Sequence, residues 1–245
     1  MPKVYFTVDV EPDCPPFLWT HRGVDEGCPR LLELFAKHRV VATLFCTGAV
    51  ARRSPDAVRR WLAEGHELGC HGDEHVRLSS VPLAEAYEDV ARATETLSRF
   101  APQRCFRAPN LDLPSELVPK LAALGYRLDS SEGRHKHRRA TTRTEAGLLR
   151  VPATTTSSVL RLPPRLVAPV LTRLGPPLVL FTHPWELVDL RQTDLRWDCR
   201  AGTGEHTVAA LDGLFGELRR RGYEFAPMGD LVRDLVEEPA GAQVA

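Results

Sequence analysis

The sequence has no excess of either charge: its 245 residues include 32 basic and 32 acidic side chains. This balance gives no reason to expect a nucleic acid or an anionic membrane as the partner. The sequence also has no run of about 18 apolar residues, which a membrane-spanning helix needs. Its first residues lack the apolar region of a signal peptide, so we expect a cytoplasmic location and no membrane span.

The six cysteines include no Cys-x-x-Cys pair and lie far apart in the sequence. In a chain with no export signal, this distribution predicts reduced thiols rather than a disulfide framework. Hydrophobic residues make up 43% of the chain, and its length suits one domain with a sizeable core. We therefore predict a single domain over residues 1–238 and a flexible Ala/Gly-rich tail over 239–245.

Short apolar runs alternate with segments of helical periodicity along the chain. The predicted strands cover residues 4–9, 41–46, 67–70, 105–107, 126–129 and 178–182. The predicted helices cover residues 29–38, 55–64, 83–100, 115–124, 164–174, 207–221 and 229–236. This alternation predicts an α/β fold with a parallel sheet or barrel. The basic, threonine-rich segment 134–150 has no clear periodicity and is interpreted as an exposed loop or a small hairpin.

Polar residues of compatible chemistry stand at the ends of five predicted strands. They are Asp9 and Glu11, His71 and His75, Arg107, Asp129, and His183. In β/α folds, the loops that follow the carboxyl ends of the strands form the active-site face. We therefore expect these side chains to meet at one edge of the sheet.

His71 and His75 are four residues apart, a spacing that can place both rings on one side of a helical turn. Two imidazoles can hold a divalent metal there, together with a carboxylate from Asp9 or Glu11. The alternative is that the pair only forms the exposed face or the end of a helix. The presence of two carboxylates and two imidazoles favours a metal hydrolase.

Five motifs resemble those of the polysaccharide deacetylase superfamily, the hydrolases with a NodB-homology domain. They are Thr7-Val8-Asp9-Val10-Glu11, His71 to His75, Arg107-Ala108-Pro109, Leu128-Asp129-Ser130-Ser131 and Phe181-Thr182-His183-Pro184-Trp185-Glu186. The resemblance covers roughly residues 4–235. It implies an irregular (β/α) barrel of about seven parallel strands.

The resemblance also implies a divalent metal held by Glu11, His71 and His75, with Asp9 as the general base. Zinc is the first choice, and Co²⁺, Mn²⁺ and Ni²⁺ are alternatives. The commonest form of the family has two adjacent aspartates, whereas this sequence has Asp9-Val10-Glu11 and thus resembles the Asp-x-Asp branch. The longer glutamate leaves the identity of the metal open.

Further roles follow from the same resemblance. Arg107 would orient Asp9, and His183 would protonate the leaving amine, with Asp129 fixing its tautomer. Three simpler interpretations stay open: Arg107 in a surface ion pair, Asp129 in an Asx turn with Ser130 and Ser131, and Trp185 in the core.

Substrate contacts are expected from Trp185, Pro109 and Asn110. Trp185 could form an apolar wall for an acetyl methyl group, and Asn110 stands where many members of the family have an aromatic residue. The groove that holds the substrate is therefore expected to differ from the common form.

The function predicted on this basis is metal-dependent removal of an N-acyl group from an amino sugar in a glycan or a glycan precursor. An allantoinase-like hydrolase of a non-sugar amide keeps the same fold and is the second interpretation. A catalytically silent carbohydrate-binding barrel is the third, although a binding module has no need of Asp9, Arg107 and His183. The exact substrate and the oligomeric state stay open.

Overall fold

The structure is a computed structural model that describes residues 1–136 and 140–237. Over these residues the chain forms one sheet of nine strands. The strands are β1 (Lys3–Val10), β2 (Thr43–Cys46), β3 (Glu67–Cys70), β4 (Cys105–Phe106), β5 (Leu128–Asp129), β6 (Arg143–Glu145), β7 (Leu148–Arg150), β8 (Leu178–Thr182) and β9 (Glu224–Phe225).

The strands follow the order β6-β7-β5-β4-β3-β2-β1-β8, and β9 pairs with the start of β1. Every pairing is parallel except that of β6 with β7. The sheet curls into a half-barrel, and Thr154 connects its two ends. The Thr154 N–H donates to the Val179 carbonyl at 2.8 Å, and the Val179 N–H donates to Thr154 Oγ1 at 2.9 Å. The predicted irregular barrel of about seven parallel strands is confirmed.

Helices cover the outside of the sheet. They are α1 (Cys28–His38), α2 (Gly48–Arg53), α3 (Pro55–Ala63), α4 (Leu83–Ser98), α5 (Val118–Ala123), α6 (Pro164–Arg173), α7 (Trp197–Arg200), α8 (Glu205–Arg220) and α9 (Gly229–Val232). The sequence analysis missed α2 and α7, since helices of six and four residues are too short for a periodic pattern. The main core lies between β1 and helices α1 and α8, where the rings of Phe6 and Phe215 meet edge to face at 4.8 Å.

The basic segment 134–150 ends in the small hairpin β6–β7, which was one of the two predicted forms. Its second strand is not exposed, however: Leu148–Arg150 is buried and pairs in parallel with β5. Arg150 obscured this strand in the sequence, because a charged residue counts against a buried strand unless a partner such as Asp129 is known. Residues 137–139 of this segment and the predicted tail at 239–245 lie outside the described residues.

All six cysteines are free in the structure. No helix in the described ranges is both long and apolar enough to cross a membrane. The division into one domain over residues 1–238 stays a prediction.

Candidate metal and active site

A cavity of about 210 Å³ opens at the carboxyl edge of the parallel strands. Its lining includes five of the seven residues that the sequence analysis placed at strand ends, Asp9, Glu11, His71, His75 and His183, together with the neighbouring Trp185. The parallel register explains the convergence, because β1, β2, β3 and β8 run in the same direction and finish at the same edge.

The first side of the cavity is the end of β1. Asp9 is the next-to-last residue of the strand and Glu11 follows it, and both side chains are buried. The loop that continues from Glu11 is organised by the buried Asp13. Its carboxylate accepts the backbone N–H groups of Arg22 and Gly23, both at 2.8 Å. Charge-assisted bonds of this kind give the loop a defined path next to the two carboxylates.

His71 and His75 lie in a loop after β3, not on a helical turn as predicted. Gly72 has a φ of +72° and His75 a φ of +55°, both in the left-handed region. The two rings nevertheless lie close together, with centroids 5.4 Å apart. The prediction of a shared side was therefore right, but its helical explanation was wrong: the left-handed residues turn the chain back on itself.

Two buried carboxylates, one in the loop and one on α4, hold this turn in place through hydrogen bonds. The buried Asp89 of α4 accepts the N–H of Asp73 at 2.8 Å and that of Glu74 at 3.2 Å. Asp73 Oδ1 in turn accepts a hydrogen bond from Arg52 Nη1 of α2 at 2.6 Å. The loop is thus fixed by buried acceptors, which offset the strain of the left-handed His75.

Glu11, His71 and His75 form the group that could hold a metal. Their ligand atoms lie within 4.8 Å of one another, and all three residues are buried. Glu11 Oε2 lies 2.6 Å from His75 Nε2 and 3.2 Å from His71 Nε2.

The donor set fits a divalent cation. His71 Nδ1 lies 2.7 Å from the carbonyl oxygen of Arg107. A carbonyl only accepts hydrogen bonds, so this nitrogen carries the proton, and in the neutral ring Nε2 offers a lone pair towards Glu11. A lone pair and a carboxylate repel each other unless a cation lies between them, and the fixed tautomer is the one that metal-binding histidines use.

Charges around Glu11 favour its ionised form. Burial would raise the pKa of Glu11, but His75 and His183 outweigh it and hold the pKa well below its usual range. Burial would lower the pKa of His75, and the adjacent Glu11 reverses this and raises it. The site therefore already keeps its carboxylate in the charged form that binds a metal.

Arg107 fixes the position of Asp9 at the side of the cavity formed by β1. Its Nη1 donates to Asp9 Oδ1 and to Thr7 Oγ1, both at 2.7 Å, and its Nη2 donates to Ser130 Oγ at 2.9 Å. The guanidinium lies 4.3 Å from the ring centroid of Phe45. Arg107 is fully buried, so the alternative of a surface ion pair is excluded.

His183 faces the metal group from the opposite side of the cavity. Its Nε2 lies 3.8 Å from Glu11 Oε1, and its Nδ1 lies 2.8 Å from Glu186 Oε1. The other oxygen of Glu186 accepts Arg161 Nε at 2.6 Å. The indole of Trp185 stacks on the His183 ring, with centroids 5.0 Å apart.

The pKa values of His183 and Glu186 are both strongly shifted from their ordinary values. Burial would lower the pKa of His183, but Glu11 and Glu186 raise it to about 9. Burial would raise the pKa of Glu186, but Arg161 and His183 lower it to about 2. At neutral pH, His183 is therefore protonated and Glu186 is ionised.

Asp129 is not the partner of His183, which corrects the sequence prediction. Its Oδ2 accepts Arg150 Nε at 2.9 Å, and its Oδ1 accepts the Ser131 N–H at 3.2 Å and the Ser131 hydroxyl. The Asx-turn alternative is therefore the correct one. Burial raises the pKa of Asp129, although Arg150 opposes this effect. Glu186 takes over the contact expected of Asp129 because it lies only one 3₁₀ turn beyond His183.

The three residues expected to contact substrate are placed differently from one another. Trp185 and Asn110 line the cavity, and Trp185 is at the same time largely buried. Pro109 is buried beside Gly72, behind the histidine loop, and is not among the residues that line the cavity. Pro109 therefore supports the loop instead of forming part of the wall.

Sequence reasoning missed Glu186 and Arg161. A signal for Glu186 existed: His183-Pro184-Trp185-Glu186 has proline at the first helical position and glutamate at the third, which is the pattern of a capping box. The Glu186 carboxylate indeed accepts the backbone N–H of His183 at 3.0 Å. No comparable signal exists for Arg161, whose contact with Glu186 spans 25 positions.

Known proteins resemble the chain in sequence and in fold. A curated chitooligosaccharide deacetylase from Bradyrhizobium sp. is 28% identical over 238 residues, which cover 94% of this chain and 90% of the relative. The crystal structure of a putative polysaccharide deacetylase from Mycobacterium smegmatis superposes with a TM-score of 0.73 at 20% identity. That match covers 95% of this chain and 89% of the other.

A second solved structure shows why the fold alone does not decide activity. It is described as a CE4 family pseudoenzyme from Bacillus anthracis, and it matches with a TM-score of 0.64 at 17% identity. The match covers 94% of this chain and 65% of the other. The family model described as polysaccharide deacetylase matches residues 1–128, more than half of the 245 residues. The chain therefore belongs to the polysaccharide deacetylase family.

Proposed function

We propose that the protein is a metal-dependent hydrolase that removes the N-acetyl group from an amino sugar in a glycan or glycan precursor. The observation that carries the proposal is the convergence of three metal-ligand candidates with a buried carboxylate on one side and a partly buried imidazole on the other. The name of the Bradyrhizobium relative, a chitooligosaccharide deacetylase, supports an N-acetylated sugar as the substrate.

Glu11, His71 and His75 would hold the metal, and two imidazoles with one carboxylate make zinc the first choice. When bound, the ion would lower the pKa of a water molecule and polarise the carbonyl oxygen of the acetyl group. Three protein ligands leave a coordination position for these groups, as in other catalytic zinc sites.

Asp9 would accept the proton of the attacking water. Its Oδ1 is bound by Arg107, which leaves Oδ2 free of this bond and able to take a proton in the cavity. Arg107 cannot rotate away, because it is buried and also donates to Thr7 and Ser130. The arginine therefore orients the carboxylate while Asp9 does the proton transfer.

His183 would deliver a proton to the nitrogen of the breaking amide bond. Its Nδ1–H is bound by Glu186, so the proton that can be transferred is the one on Nε2, the atom that faces Glu11. Glu11 and Glu186 raise the pKa of His183 to about 9, which favours a proton on this nitrogen. The charge of a metal bound by Glu11 would oppose this rise, whereas the contribution of Glu186 would remain.

The remaining walls of the cavity suit the acetyl group and the sugar. Trp185 and Phe181 lie beside His183 and offer apolar surface for a methyl group. Thr156, Ser157 and Asn110 line the same cavity with polar groups that can bind sugar hydroxyls.

The experiment combines metal analysis of the purified protein with acetate release from N-acetyl chitooligosaccharides and from small cyclic and linear amides. We expect about one zinc ion per chain and acetate release from the oligosaccharides, with an Asp9→Asn variant as the matched inactive control. Release of product from the small amides only would favour the allantoinase-like alternative. Oligosaccharide binding without release of acetate by the metal-loaded protein would identify a silent carbohydrate-binding barrel.

A further inference from the structure

Helix α6 has one face packed in the fold and another that no described residue covers. Val167, Ala168 and Leu171 are buried, and the helix contacts α8. The other face carries large aliphatic side chains: Leu166, Val170 and Leu174 are exposed by 63, 55 and 47%. Their spacing of four residues places them in one row along the helix.

This row continues at both ends of the helix. Leu162, just before α6, is 53% exposed. After Leu174 the chain passes through Gly175 to Pro176 and Pro177, which line a mainly apolar cavity together with Leu231 and Leu235. We refer to Leu162, Leu166, Val170 and Leu174 as the α6 stripe.

The stripe holds four of the ten large hydrophobic side chains that are exposed in the described part of the chain. The other six do not form a row along a helix; Leu83 on α4 and Trp197 on α7 are each the only one on their helix. Isolated exposed hydrophobic residues are normal, but an ordered row is typical of an interaction surface.

The segment of sequence that carries the stripe has charges of one sign only. Residues 146–185 contain four arginines and no aspartate or glutamate, although the whole chain is electrically balanced. Arg150 and Arg161 are buried and paired with Asp129 and Glu186. Arg165 and Arg173 are exposed on α6 itself, beside the stripe. An aliphatic row flanked by arginines is the pattern of a helix that lies in a membrane interface.

We propose that the α6 stripe docks on the surface of an anionic phospholipid bilayer. The aliphatic side chains would enter the boundary between headgroups and acyl chains, and Arg165 and Arg173 would meet lipid phosphates. A second copy of the chain fits less well, because a twofold contact through this face would bring the arginines of both copies together.

The position of the stripe connects it to the active site. Leu162 directly follows the 3₁₀ turn Ser157–Arg161, and Thr156 and Ser157 line the catalytic cavity. Docking would therefore bring one wall of the cavity close to the lipid surface. The proposal concerns binding alone, so it can fail without affecting the proposed reaction.

The test is cosedimentation of the full chain with vesicles of phosphatidylcholine alone or mixed with phosphatidylglycerol. We expect binding to the mixed vesicles only, weakened by salt. The double substitution Leu166→Glu with Val170→Glu should lower the partition coefficient by about tenfold or more. Arg165→Gln with Arg173→Gln leaves the aliphatic row intact and should lower it several-fold. Leu83→Glu, a matched change on the exposed part of α4, should have no effect.

Thermal unfolding checks that each variant is folded, and the arginine pair tests the proposal even if the glutamate pair unfolds the helix. The proposal is overturned by absence of binding to the mixed vesicles, by equal binding to neutral vesicles, or by full binding of the folded glutamate double variant. A concentration-dependent dimer that forms without lipid and is lost in Leu166→Glu would show that a second copy covers the stripe.

Discussion

The two sides of the catalytic cavity use the same chemical pair, a buried arginine behind a buried carboxylate, but only one side has a histidine in front of the carboxylate. On the β1 side, Arg107 stands behind Asp9, and the carboxylate itself lines the cavity. On the β8 side, Arg161 stands behind Glu186, and the carboxylate is separated from the cavity by His183.

In the proposed reaction, this difference decides which side accepts a proton and which side donates one. A carboxylate that faces the cavity can only accept when ionised. The same group placed behind an imidazole stabilises the imidazolium and turns the ring into an acid. On both sides the arginine fixes the buried carboxylate in position through a hydrogen-bonded ion pair. On the β8 side, Arg161 also lowers the pKa of Glu186.

The strongest test removes the element that both sides share. Glu11 lies between the histidine pair and His183, so Glu11→Ala should lose the metal and reduce activity to background. Chelation of the metal from the native protein should do the same, and added zinc should restore only the native protein. Metal analysis together with acetate release measures both effects. Full metal content in Glu11→Ala would show that Asp9 and Glu11 have exchanged roles.

The base side is tested next by Asp9→Asn. The amide keeps the shape of the side chain but cannot take up a proton, so turnover should fall on the order of a hundredfold or more. Metal content should stay near that of the native protein, which distinguishes this variant from Glu11→Ala. Loss of the metal in Asp9→Asn would remove Asp9 from the base role.

The acid side is tested by His183→Ala with two substrates. Activity on an amide should fall on the order of a hundredfold, since the leaving amine needs a proton. An activated ester has a leaving group that needs none and should lose much less. The ratio of kcat/KM on the two substrates is the measurement. Equal losses would leave His183 with a structural role or a role in stabilising the oxyanion.

Glu186→Gln and Asp129→Asn compare the observed partner of His183 with the predicted one. Glu186→Gln should lower amide hydrolysis by about tenfold and ester hydrolysis less, because the imidazolium loses the carboxylate that stabilises it. Asp129→Asn breaks the charge pairing with Arg150, so it should lower stability without changing the ratio of amide to ester activity. A changed ratio in Asp129→Asn alone would return the positioning role to that residue.

The smallest expected effect is a pH dependence of stability that comes from Glu186. Its pKa is about 2 in the folded protein and 4.5 when unperturbed, so its ionised form stabilises the fold above pH 4.5. At neutral pH, the free energy of unfolding of the native protein should exceed that of Glu186→Gln by on the order of a few kcal/mol. This gain should shrink as the pH falls from 4.5 towards 2, as measured by urea unfolding. A difference that does not depend on pH would mean that the charge of Glu186 does not stabilise the fold.

Local sequence signals were sufficient for much of the fold. Apolar runs located β1, β2, β3 and β8, and segments of helical periodicity located α1, α3 and α5. They could not reveal β9, which consists of two residues and pairs only with the start of β1. They also misjudged Leu148–Arg150, because a strand that contains arginine becomes buried only when a distant carboxylate pairs with it.

For the site, the sequence by itself determined that most of the strand-end residues meet, although it paired Asp129 with His183 and missed Glu186 and Arg161. Asp9, Glu11, His71, His75, Arg107 and His183 each follow or end a parallel strand, and parallel strands deliver their ends to one edge. Only the tertiary structure decided that Glu186 is the partner of His183 and that Asp129 pairs with Arg150. The contact of Arg161 with Glu186 spans 25 positions and that of Arg150 with Asp129 spans 21. Hydrogen bonds over such separations depend on distances within a few tenths of an ångström, which packing sets and residue order does not.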